Sequence, residues 1–125
     1  MDTSPENILP SAHAAASLVG RVWNPDAAGP SLVCVRDGAI LDITGADAPT
    51  MRDLLEMDDP AAFVRSRPGA SLGAVEEIAA NSVAHRGDAT RPHMLAPFDL
   101  QAVKACGVTF AQSIIERVIE EMAKG

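Results

Sequence analysis

A hydroxyl and a carboxylate, Ser113 and Glu116, lie close together in the run Cys106-Gly-Val-Thr-Phe-Ala-Gln-Ser-Ile-Ile-Glu116. Ser113 and Glu116 are three residues apart, so a helix carries hydroxyl and carboxylate on one face. A carboxylate in such a place can move protons. A serine hydroxyl is far too weak a base to deprotonate water near neutral pH, a task to which imidazole is matched. The pattern also has an ordinary explanation. Ser113, Glu116, Arg117 and Glu120 form the polar side of an amphipathic helix, where a solvated Glu is the default. Gly107 reads equally as a tight turn, and Thr109 as a helix N-cap.

Other chemistry-bearing residues are scattered. Cys34 and Cys106, the two cysteines, sit in the apolar contexts Leu-Val-Cys-Val and Lys-Ala-Cys-Gly-Val, and read as reduced, buried thiols. His13, His85 and His93 lie at no useful spacing from them, so no zinc site is expected. His85 and His93, in or beside a polar stretch, read as solvated. Asp58-Asp59 reads as a helix start, and Arg21 as a surface or edge residue.

The elements that must position these residues are legible in outline. A polar lead with a short Ala-rich turn covers residues 1–16. Residues 17–23 read as a strand, and Pro25, Gly29 and Pro30 place a loop after it. Residues 31–36 and 39–43 flank Asp37-Gly38, a two-residue link suited to a type I′ turn, which predicts a β-hairpin. Together these strands make a small meander whose apolar face needs a helical cover. Thr50 with Asp53 caps a helix through Met51, Leu54 and Leu55. Asp59-Pro60 starts a second helix, and Ser71 is expected to cap a third that carries Leu72, Val75, Ile78 and Ala79. Residues 81–93 read as a polar loop, and residues 100–108 as an extended linker with Val103, Ala105 and Cys106 buried. The last helix, residues 110–124, puts Ala111, Ile114, Ile115, Val118, Ile119 and Met122 on one apolar stripe. The fold class expected is therefore α+β: a small N-terminal hairpin or meander sheet covered by short helices, ending in a linker strand and an amphipathic helix.

Composition narrows the classes of function. Of 125 residues, 47% are hydrophobic and 22% charged, enough apolar surface to offset chain entropy. A net charge of −7, from 17 acidic and 10 basic residues, repels phosphate backbones, and no basic cluster offsets it, so no nucleic-acid partner is expected. The N-terminus lacks the basic-then-apolar order of a secretory signal. No apolar run approaches the roughly 18 residues of a membrane helix. A cytoplasmic location without membrane contact is expected.

Two stretches carry a family resemblance. The first is Val19-Gly-Arg-Val-Trp23, with the hairpin after it, Asp42-Ile-Thr, and Ala48-Pro-Thr-Met-Arg-Asp-Leu-Leu55. The second and more specific is the run from Leu95-Ala-Pro-Phe-Asp-Leu to Glu121. Together they resemble the N-terminal domain of the fumarylacetoacetate hydrolase family and the linker into its catalytic domain. The similarity is greatest to the branch that dehydrates 2-keto-3-deoxy sugar acids. That family opens its active-site helix with Gly-x-Asn-Tyr-x-x-His-x-x-Glu. Here Gly107 matches the glycine, Thr109 stands at the Asn position and Phe110 at the Tyr position. Ser113 replaces the His that activates water, and Glu116 matches the Glu that partners it. The resemblance thus implies Glu116 and Ser113 as catalytic residues and Gly107, Thr109 and Phe110 as substrate-binding ones. Loss of the His puts hydrolysis of a C–C bond in doubt. Dehydration of a β-hydroxy keto acid needs no water nucleophile, only proton abstraction next to the ketone and a stabilised enolate, which a metal supplies.

The family's metal, usually magnesium, is held by a Glu-x-Glu pair and a later Asp, oxygen donors suited to a hard cation. No Glu-x-Glu occurs in these 125 residues. The resemblance therefore implies Mg2+ only in a longer enzyme, with no cofactor in this chain and no turnover by it alone. It divides the chain into an α+β domain over residues 1–96 and a linker with first helix over residues 97–125. The expected partners are a small 2-oxo acid, the protein's own C-terminal catalytic domain and further copies in a homo-oligomer. The stripe of the last helix is expected to pack on that absent domain, so the isolated chain should self-associate. The alternatives are an acylpyruvate or fumarylacetoacetate-type hydrolase using another base, and a non-catalytic partner-binding α+β module.

Overall fold

The computed structural model describes residues 1–105 and 111–124 of the chain; of residues 111–114 it describes the backbone. After a short α1 (Pro5–Ile8) and a 3-10 turn at His13–Ala15, the chain forms β1 (Leu18–Asn24), β2 (Gly29–Arg36) and β3 (Ala39–Asp42). These pair antiparallel, from Leu18 opposite Val35 to Asn24 opposite Gly29, and from Val33 opposite Asp42 to Arg36 opposite Ala39. The turn between β2 and β3 is built on Asp37 at φ 51° and Gly38 at φ 75°. Positive φ at both central residues is what a primed two-residue turn requires, and its twist matches that of the strands.

Three elements follow in sequence: α2 (Met51–Leu55), α3 (Pro60–Ser66) and β4 (Ala70–Ala74). Then come α4 (Val75–Ala84), β5 (His93–Met94) and α5 (Ala111–Ala123). The helix starts are capped as the sequence implies. Thr50 Oγ1 accepts the Asp53 N–H at 3.2 Å, and the Asp59 carboxylate accepts the Ala62 N–H at 2.9 Å. The sheet has five strands in the order β4-β3-β2-β1-β5, with every neighbouring pair antiparallel. The molecule is α+β, as its sequence implies.

Period-2 alternation splits the apolar strand residues between two faces. Leu32 and Cys34 pack with Ile43, Ala48, Met51, Leu54 and Val64, under α2 and α3. Val22, Val33 and Ile40 pack with Val75 and Ile78 of α4, joined by Ile8 and Leu9 of the N-terminal lead. The sheet is thus covered on both faces, where the sequence reading supplied cover for one.

The cause lies in β4. The helix expected to start at Ser71 starts at Val75 instead. Residues 70–74 form an edge strand along β3, with an irregularity between Ile40 and Leu41 and Gly73 at φ 140°. The β3 edge offers unpaired backbone groups, and pairing them outweighs a local helix preference. Gly69 makes the approach possible, since a Cβ there would collide with the Asp42 carbonyl oxygen. No side chain caps α4; its first N–H donates to the Gly38 carbonyl at 3.0 Å. The polar loop expected over residues 81–93 also shortens, because α4 continues to Ala84 and Asn81 is buried, donating to the Pro92 carbonyl at 3.0 Å. Residues 101–105 have no regular structure; Val103 is 69% exposed and Ala105 is exposed as well, so neither is the buried linker residue expected.

Candidate functional site

Of the five residues singled out for chemistry, Gly107, Thr109 and Phe110 lie outside the described residues, as does Cys106. Ser113 falls in the helical span of α5, and its side chain is outside the description. Glu116 is exposed on α5. Their mutual geometry is therefore not among the described features.

What the structure does show is how the segment leading to that run is tied down. Arg21 sits on β1 among apolar residues. Its Nη1 donates to the carbonyls of Ala96 at 3.2 Å and Phe98 at 2.9 Å, and its Nε lies 3.5 Å from Asp99 Oδ2. The Asp99 carboxylate in turn accepts three backbone N–H groups, those of Met51 at 2.8 Å, Arg52 at 3.1 Å and Leu100 at 2.7 Å. Met51 and Arg52 are the first residues of α2, whose leading N–H groups have no partner within the helix. Thr50 satisfies one further along, and Asp99 satisfies these two from a distant part of the chain. The two charged side chains are 18% and 12% exposed, largely withdrawn from water. Leu95 N–H adds a ladder-like bond to the Arg21 carbonyl at 2.9 Å.

Desolvation of the Asp99 carboxyl pushes its pKa up. The N–H donors of Leu100, Met51 and Arg52 and the Arg21 guanidinium outweigh it, and the net displacement is below the ordinary carboxylate value. The charged form is thus the one this clamp is built around. A concavity of about 330 Å³ lies beside it, lined by Arg21, Ser31, Thr50, Met51, Asp99 and Leu100 among others. Its charged groups are already matched to each other.

A second polar cluster crosses the three-strand meander. Ser31 Oγ donates to Asp42 Oδ2 at 2.8 Å, and Asn24 Nδ2 donates to both, at 3.1 and 3.2 Å. Thr44 N–H donates to Asp42 Oδ1 at 2.9 Å. Partial burial raises the Asp42 pKa, the bonds from Thr44, Ser31 and Asn24 lower it, and the lowering prevails. Every donor is used within the cluster, which reads as a fastening between strands.

No activated nucleophile is present among the described residues. Cys34 is fully buried, and burial pushes its thiol pKa up against the smaller pull of Arg36, so the reactive thiolate is disfavoured. His13 Nδ1 and His93 Nδ1 lie against the backbone carbonyls of Pro10 and Arg91. His93 is not simply solvated, since its ring stacks on Trp23 with centroids 6.3 Å apart. Among the described residues no three His, Cys, Asp or Glu side chains group to hold a metal, and no helix is long and apolar enough to cross a membrane.

The clamp was not foreseen from sequence, where Arg21 read as a surface or edge residue. The available signals were an arginine interrupting an apolar strand and an aspartate just after Pro97. Neither says which distant partner it will meet. Comparison of the chain with protein-family models, with curated proteins and with solved structures gives no match.

Proposed function

We propose that this chain is the N-terminal portion of a metal-dependent enzyme of the fumarylacetoacetate hydrolase family that dehydrates a 2-keto-3-deoxy sugar acid. The observation that carries the reading is the run of residues 107–116, in which Gly107 and Glu116 coincide with the family's pattern while Ser113 replaces its water-activating His. The clamp between Arg21, Asp99 and α2 supports it. A segment that must present substrate-binding residues gains from being fixed to a rigid sheet just upstream. In this reading Gly107, Thr109 and Phe110 contact a small 2-oxo acid, and Glu116 with Ser113 serves the proton transfer next to the ketone. The family's magnesium is held by a Glu-x-Glu pair and a later Asp, and no Glu-x-Glu occurs in this sequence. Its ligands, in this reading, lie outside these 125 residues, and the catalytic domain that carries them packs against α5.

The test is product analysis with a polypeptide that continues this chain into such a domain, in the presence of magnesium. A deoxy sugar acid should give a 2,5-dioxo acid semialdehyde with no C–C cleavage, and Glu116→Gln should lower kcat by about a hundredfold or more. Release of pyruvate from an acylpyruvate would replace dehydration by hydrolysis. Absence of turnover with either substrate would replace both by a partner-binding module. One observation favours that last reading: Ile115, Val118, Ile119 and Met122 of α5 are 58%, 49%, 61% and 76% exposed.

A further inference from the structure

We infer that the concavity between the β2–β3 turn, α3 and the 3-10 turn at His13–Ala15 binds a small oxyanion, the carboxylate or phosphate of a metabolite. The cavity measures about 380 Å³, and Arg36, Arg65, His13 and Ser17 line it together with Asp37 and Cys34. That volume suits a small ligand.

The charge pattern is what points to an anion. The chain carries 17 acidic residues against 10 basic ones, so an arginine has carboxylates in excess to pair with. Arg21, Arg52, Arg67 and Arg91 do pair with them. Arg36, Arg65, Arg86 and Arg117 have no carboxylate partner among the described residues, and of these four Arg36 and Arg65 line one cavity together. Arg36 is also held in place. Its Nη2 donates to the carbonyls of Val64 at 2.8 Å and Arg67 at 3.0 Å, at the C-terminal end of α3. Those bonds fix the guanidinium, while its Nε and Nη1 make no hydrogen bond among the described residues. A guanidinium held by Nη2 keeps separate N–H donors on Nε and Nη1, each able to meet one oxygen of a carboxylate or phosphate.

Arg65 is exposed, and its one polar contact is a long 3.5 Å approach to Ser17 Oγ, so it can turn to an arriving anion at little cost. His13 Nδ1 lies 3.1 Å from the Pro10 carbonyl, which fixes the ring at the rim of the cavity. Asp37 opposes an anion, but it is exposed at the turn, where water screens it. The site binds without covalent chemistry, because the Cys34 thiol beneath it is fully buried. It shares no residue with the clamp or with residues 106–116. Its fate is therefore separate from that of the enzyme reading.

The test is a heteronuclear NMR titration of the whole chain with inorganic phosphate and, separately, with malonate. Ionic strength is held constant with chloride. Saturable shifts at Ser17, Gly38 and Arg65, with Kd below about 10 mM, are expected for at least one of the two. The tighter of the two identifies the oxyanion class. Arg65→Gln, whose side chain supports nothing in the fold, should weaken binding about fivefold or more with an unchanged melting temperature. Arg86→Gln, an exposed arginine elsewhere, should titrate like the parent. Three results would each overturn the inference: shifts that chloride alone reproduces, shifts that never saturate, or an Arg65→Gln variant that binds as the parent does.

Discussion

The helices α4 and α5 are both written with an apolar stripe at helical spacing, and their stripes meet opposite ends. In α4, Val75, Ile78 and Ala79 are 0%, 0% and 4% exposed. In α5, Ile115, Val118, Ile119 and Met122 are all about half exposed or more. The difference lies in delivery. α4 follows β4 with no intervening loop, and its first N–H is bound to the hairpin turn, so its stripe falls on the sheet. Ahead of α5, an arm of residues 95–105 has no regular structure and is tied to the body by polar contacts around Arg21 and Asp99. Periodicity says which face of a helix avoids water, and says nothing of what that face will meet.

The largest expected effect sharpens this contrast directly. Ile78→Ala should cost about 3–4 kcal/mol, as for truncation of a fully buried side chain, whereas Ile119→Ala should stay within about 0.5 kcal/mol. Urea denaturation of each variant measures both, and equal costs would break the comparison.

Next in size is the clamp. Asp99→Ala removes the acceptor of three backbone N–H groups and should cost about 1–2 kcal/mol. Hydrogen exchange should quicken at Met51, Arg52 and Leu100 while Leu32 and Val33 keep their protection. Loss of protection across the sheet would mean that the arm and the body are one cooperative unit.

The smallest effect is acid sensitivity. Asp42 and Asp99 both titrate below the ordinary 3.8 in the folded protein, so at low pH the unfolded chain binds more protons. Their contribution is present above that ordinary value and is lost as pH falls through the lower, folded values. The urea midpoint should be level between about pH 5 and 7 and drop below about pH 4. Asp99→Ala should show a shallower drop than the parent, and an identical one would remove Asp99 from the account.

How far the sequence foretold this molecule depended on how local the cause was. Asp37-Gly38, the Thr50 and Asp59 caps and the helical stripes rest on neighbours a few residues away, and these features were legible. β4 was not, because Ser71 looks like a helix cap until the open edge of β3 is known. The cover on the second face was missed for the same reason, since Ile8 and Leu9 look like a polar lead's incidental apolar pair. The role of Arg21 needed Asp99 beside it. Gly107, Thr109 and Phe110, the proposed substrate contacts, stand on resemblance alone, and the proposed catalytic pair adds to it only the helical place of Ser113 and the exposed place of Glu116 on α5.

The sheet with its covering helices is self-sufficient, and α5 has its apolar stripe free for a partner. Native-state hydrogen exchange on a monomeric sample, followed residue by residue, tests it most directly. Amides of Leu32 through Val35 and of α4 should exchange only through global unfolding, and those of residues 115–123 at least about a hundredfold faster. Protection in α5 equal to that of α4, in a sample shown to be monomeric, would contradict it.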